Sequence, residues 1–190
     1  MSRLHPELEA INAVYLLVQD TILPPMDPAR QQTDSNLNKP RVTPTEARQL
    51  YERAIHAFGR LFPQLATQEV IAGYQDGCEL LQRNIAGEMA RAVQPEYIPV
   101  METAIRDGHP HIAPMFVYAL AQNLGAAAVP ILIEALHGAV PAIRETAVYV
   151  AGEHHFVDLT PHIQPLQQDP VPQVARAAHR VLEAFHALDA

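Results

Sequence analysis

The chain has no tryptophan, one cysteine and only 6% aromatic residues in 190. Small and aliphatic side chains must therefore fill the interior, as close helix stacking prefers. Cys78 has no partner for an internal disulfide, so a reducing compartment, the cytoplasm, is the expected location. No leader is visible, because the early apolar run Ala13 to Val18 follows Glu7 and Glu9 rather than a basic segment. No apolar stretch approaches the length expected of a membrane-spanning helix. Positive charge is scarce too: 13 Lys and Arg stand against 21 Asp and Glu, a net of −8. That balance argues against a grip on nucleic-acid backbones and against anionic membrane surfaces. Neither nucleic acid nor membrane is an expected partner.

Catalytic motifs are missing as well. There is no Gly-x-Ser-x-Gly, no phosphate-cradling glycine loop and no His-Glu-x-x-His. Cys78 lies between Asp76 and Glu79, which gives no setting for a reactive thiolate. No catalytic residue and no cofactor are expected.

Proline and periodicity are plentiful. Seventeen prolines suit punctuation between many short helices. Pro99, Pro130 and Pro161 stand 31 apart, and Pro110, Pro141 and Pro172 keep the same step. Ile112, Ile143 and Val174 repeat it, as do Ala119, Val150 and Val181. A fixed period of this size marks a repeat array, here about 97–127, 128–158 and 159–189. Each unit holds two apolar runs. In the middle unit Ile143, Ala147, Val150 and Ala151 recur at helical spacing. A proline near the start of a run fits a first helical turn, where a missing N–H costs nothing. Gly138 between the runs and Gly152 near the end of the second read as helix stops. The unit is a helical hairpin, and the fold class is all-α.

Ile143-Arg144-x-x-Ala147-Val148-x-Val150-Ala151-Gly152 resembles the second helix of a short HEAT-like repeat, whose usual form is Val-Arg-x-x-Ala-Ala-x-Ala-Leu-Gly. Val129-Pro130-x-Leu132-x-x-Ala135-Leu136 is similar to its first helix. The short form is also found in phycobilisome-lyase-type proteins. The resemblance implies a right-handed α-α superhelix, an α-solenoid, over residues 95–190. The last unit carries Ala175, and the first Ala113-Pro114, where the pattern has arginine. In this repeat type the arginine equivalent to Arg144 reaches an acidic or carbonyl partner in the neighbouring unit. Deoxyhypusine hydroxylases, also HEAT-like, hold iron with His-Glu pairs, and no His-Glu dipeptide occurs here.

Residues 1–94 show no 31-residue echo and read as a three-helix cap on the array. Helices are expected over 5–19, from Thr43-Pro44-Thr45-Glu46 to Pro63, and over Thr67–Val93, the last either closely approached by another helix or broken near Asp76-Gly77. In the first, Leu8, Ile11, Tyr15 and Val18 share a face, widened by Val14 and by Leu16 or Leu17. Residues 20–42 form a Pro-rich connection, either a plain linker or a segment that folds over a partner. His186 to Ala190 reads as the frayed end of the last helix.

Two features bear on function. Eight of ten histidines lie after residue 95, in a stretch with ten acids and four arginines. They are surface residues at helix ends, a pH-sensitive surface, or a metal site, and the weak metal candidates are His154, His155 and His162. The second feature is the face of the second helices, which lines the concave side in a HEAT-like array. There Met115 aligns with Thr146 and Ala177, Tyr118 with Tyr149 and Arg180, and Gln122 with Glu153 and Ala184; Glu145 aligns with Arg176. Stacked Tyr118 and Tyr149 suit protein recognition or cover the joints between repeats. The expected partner is another protein, bound through Met115, Tyr118, Gln122, Glu145, Tyr149, Glu153, Arg176 and Arg180. The alternatives are a small enzyme or chromophore-handling protein of the phycobilisome-lyase type, and a histidine-based metal-binding protein.

Overall fold

The computed structural model describes residues 4–22 and 42–188. The connection expected at 20–42 falls, from 23 to 41, outside the described residues. Every described element is helical, and no strand occurs among the described residues. The chain divides into two compact units, Met1–Ile85 and Ala86–Ala190.

The first unit opens with α1, Pro6–Ile22, and α2, Pro44–Leu61. Thr43 and Glu46 form the expected capping box on α2: the Thr43 hydroxyl accepts from the Glu46 N–H at 3.3 Å, and the Glu46 carboxylate accepts from the Thr43 N–H at 2.9 Å. Leu8, Ile11, Tyr15 and Val18 of α1 are buried, as are Ala47, Ala54, Phe58 and Leu61 of α2. The two helices pack together, with the Tyr15 and Tyr51 rings 5.8 Å apart. The α1 stripe is narrower than expected, since Leu16 and Leu17 are 51% and 38% exposed. They lie 100° and 200° around the helix from Tyr15, beyond the width that one neighbour covers.

The stretch expected as a helix over Thr67–Val93 takes the alternative break near Asp76-Gly77 and forms two helices, α3 at Thr67–Asp76 and α4 at Glu79–Arg91. Residues 1–94 thus hold four described helices rather than three. Gly77 marks the corner, where a Cβ would lie 2.4 Å from the Gly73 carbonyl oxygen. The Cys78 N–H then donates to the Asn12 side-chain oxygen at 2.8 Å, tying the corner to α1.

The second unit contains α5 (Ile98–Arg106), α6 (Ala113–Leu124), α7 (Val129–Leu136), α8 (Pro141–Glu153), α9 (Thr160–Ile163) and α10 (Pro172–Leu188). Pro99, Pro130, Pro141, Pro161 and Pro172 each stand in a first helical turn, whereas Pro110 lies in the turn before α6. Helix α5 packs on α6 and α7 on α8; α8 also packs on α6 and on α10. The 31-residue step recurs in the core. Tyr97, Ala128 and Leu159 are buried, and so are Met101, Leu132 and Ile163. On the second helices the buried sets are Ile112, Ile143 and Val174; Phe116, Ala147 and Ala178; and Ala119, Val150 and Val181. Each large aliphatic member contributes roughly 1.5–3 kcal/mol by leaving water.

The third first arm departs from the other two. It consists of the short α9 between 3-10 turns at Val157–Leu159 and Gln164–Gln168. Pro165 explains the break, since in a continued α-helix its ring would meet the carbonyl of Pro161, four residues back, and it supplies no N–H. Gly152 is not a helix stop. It lies inside α8, and a Cβ there would stand 2.8 Å from a Val181 methyl, so its role is to let α10 approach. The last helix continues through Leu188, past the expected fraying at His186.

Within the 24 residues Ala113–Leu136 an 18-residue window reaches a mean hydropathy of 1.7, long and apolar enough on composition to cross a membrane, contrary to the sequence expectation. Gly125, at φ 54°, breaks them into α6 and α7, which pack on each other. The 12 residues of α6 span about 18 Å at 1.5 Å per residue, short of a bilayer core of about 30 Å.

Candidate functional site

The second helices present the candidate surface. Tyr118 on α6, Tyr149 on α8 and Arg180 on α10 hold equivalent positions, 31 residues apart. Their neighbours on each helix carry the buried stripe, so these side chains project from it, and the tyrosines are 39% and 42% exposed. The Tyr118 hydroxyl donates to a Glu153 carboxylate oxygen at 3.0 Å and accepts from the Gln122 amide at 3.2 Å. The bond to Glu153, and that group's charge, push the Tyr118 phenol above its usual range. The Arg180 guanidinium donates to the Tyr149 hydroxyl and lies 5.5 Å from the centre of its ring, a cation–π distance.

Gln122, Tyr118 and Glu153 thus form one bonded set across α6 and α8, and Tyr149 with Arg180 a second across α8 and α10. Each tyrosine hydroxyl reaches from one hairpin to the next while a large part of its surface stays in water. Met115 and Glu145 are half-buried and Arg176 is exposed. No hydrogen bond or ion pair among the described residues joins these three to the sets. Ala177, expected to share the outward column with Met115 and Thr146, is fully buried. The stripe of α10 is wider, running through Val174, Ala177, Ala178, Val181, Leu182 and Phe185.

Arg144 sits in the first turn of α8, just after Pro141. Its guanidinium makes a two-pronged pair with Asp169, Nε to Oδ2 at 2.8 Å and Nη2 to Oδ1 at 3.0 Å. Its Nη1 donates to the carbonyls of Gly138 and Ala139 at 2.8 and 3.0 Å. The arginine therefore reaches both an acid in the following unit and carbonyls in its own. Asp169 also accepts from the Val171 N–H at 2.8 Å. The side chains are 12% and 3% exposed, and the Arg144 bonds hold the Asp169 carboxyl below its usual range. On the first helices, Arg106 pairs with Glu134, 28 residues on, at 2.6 Å. Both ties join consecutive hairpins.

The weak metal candidates His154, His155 and His162 do not come together in one cluster. His154 ends α8 and stacks on Phe156, 5.4 Å between ring centres and 12° between planes, with Nε2 buried and unpartnered. His155 is exposed at φ 54°. It occupies the left-handed position of a Schellman cap, in which the Phe156 N–H donates to the Ala151 carbonyl at 2.9 Å. His162 meets His137 instead. Among the described residues, no group of three or more His, Cys, Asp or Glu converges as a metal cage. Cys78 is half-buried, and burial pushes its thiol up, away from nucleophilic use.

Sequence reasoning missed Asp169 as the specific partner of Arg144, and it missed the His137–His162 meeting. One signal was available for the first. Asp169 shares a 31-residue column with Gly138, whose carbonyl Arg144 also binds. Compared with family models, with curated proteins and with solved structures, the chain matches none.

Proposed function

We propose that residues 95–190 are an α-solenoid of three HEAT-like hairpins, a right-handed superhelix, and that the protein is a non-catalytic scaffold or adaptor. It binds another protein through the exposed face of α6, α8 and α10. One observation carries this reading: Tyr118, Tyr149 and Arg180 recur in step, half in water, with polar neighbours already bonded into position. Rings held this way supply contact area at little further cost in ordering, as anchors at protein interfaces do. The 31-residue core columns and the Arg144–Asp169 and Arg106–Glu134 ties support stacking of the hairpins.

A photo-reactive phenylalanine placed at 118 or 149 should capture the same protein from the native host, and one placed at Glu134 should not. The pair Y118A/Y149A should then weaken binding of that protein at least about tenfold, the loss of one good anchor. Its far-ultraviolet circular dichroism should stay unchanged. Equal capture from both faces, or undiminished binding by the double variant, overturns the assignment.

A further inference from the structure

His137 caps the end of α7, and His162 lies in α9, which packs on α7. Their ring centres are 5.4 Å apart, with planes at 71°. No hydrogen bond or ion pair engages either ring among the described residues. His137 is exposed and His162 half-buried, so water and ions reach both. Residues 95–190 carry ten acids against four arginines, a field that draws cations.

The spacing has a chemical meaning. A zinc–nitrogen bond of about 2.05 Å puts the metal about 3.2 Å from the imidazole centre. Two rings on one ion at the tetrahedral angle then have centres about 5.2 Å apart, whereas a square-planar right angle gives about 4.5 Å. The observed 5.4 Å lies within a few tenths of an ångström of the tetrahedral spacing. Histidine χ2 torsions are broad, so the rings can turn to aim one nitrogen each at a common point. Two imidazoles without carboxylates suit a borderline cation rather than calcium or magnesium, which take oxygen ligands.

We propose that His137 and His162 form a two-histidine zinc-class site, completed by water, that staples the end of α7 to α9. The ion is Zn2+ or a cation of like preference, and two of its positions stay open to exchange.

The test uses the full, tag-free chain titrated with Zn2+ in a non-chelating buffer, and with Co2+ followed by its visible absorption. One Zn2+ should bind per chain, and Co2+ should give the intense visible bands of a tetrahedral complex. H137Q and H162Q should each weaken binding by about tenfold or more, because losing either ligand breaks the chelate. The double variant should be little worse than either single one. H186Q, at an exposed histidine elsewhere, should bind as the wild type does. Wild-type affinity in H137Q, or an equal loss in H186Q, overturns the proposal, the latter by showing diffuse histidine binding. Should H162Q fail to fold, H137Q decides alone, since His137 is exposed.

Discussion

Replacing Arg144 with alanine would leave Asp169 as a carboxylate that is 3% exposed and retains one strong donor, the Val171 N–H. Four bonds from the guanidinium vanish, two of them to the acid. Removing one partner of a well-buried pair costs about 3–5 kcal/mol, chiefly because the other charge is stranded. Arg144 is itself 12% exposed, and water replaces part of what is lost, which places the cost near the lower end, about 3 kcal/mol. For a chain of this length that is roughly 6–12 °C in Tm. Urea unfolding followed by circular dichroism reads the loss, and hydrogen exchange should locate it in peptides spanning 138–171. R144K should fall between, because an ammonium cannot make the two-pronged contact. The pH dependence is a second reading. Asp169 has a lowered folded pKa, so its contribution is complete above its unfolded value of about 3.9 and disappears as pH falls through the folded value. The stability gap between wild type and D169N should therefore be open at neutral pH and close in acid. A cost below 1 kcal/mol for R144A, or a gap that acid leaves unchanged, would refute the reasoning.

Two further outcomes follow from the backbone. His155 holds a left-handed conformation that L side chains disfavour, so H155G should raise stability by about 1 kcal/mol, read as a higher urea midpoint; a lower midpoint contradicts the strain. A Cβ at Gly152 meets the Val181 methyls at 2.8 and 3.3 Å, so G152A should be more favourable in a V181A background than in the wild type by about 1 kcal/mol or more. Strict additivity in that four-variant cycle would show that the approach of α10 does not need the glycine.

Much of this protein is legible before folding because its information is local. A helix start such as Thr43-Pro44-Thr45-Glu46 is written within four residues, and its bonds form as read. The 31-residue columns need only the chain's own register, and the columns of Ile143 and Val150 are buried in all three units. The expectation that Arg144 bridges two units came from the resemblance of its motif to a HEAT-like second helix, and the bonds to Asp169 make that bridge. Other readings failed where one helix's environment decides. Ala177 looked outward by analogy with Met115, yet the wider buried stripe of α10 covers it. Leu16 or Leu17 was expected to widen the buried face of α1, yet both are exposed. Gly152 read as a stop and serves as a gap.

The order of hydrophobic residues along the chain determined that it is helical, where most helices begin, and that residues 97–189 repeat. Tertiary structure alone decided that Arg144 meets Asp169, that Tyr118 meets Glu153, and that His137 faces His162 rather than His154. Those meetings join residues 25 to 35 apart in sequence. They depend on how far each hairpin shifts and turns against the next, which side-chain volume at the contact sets and local pattern does not encode.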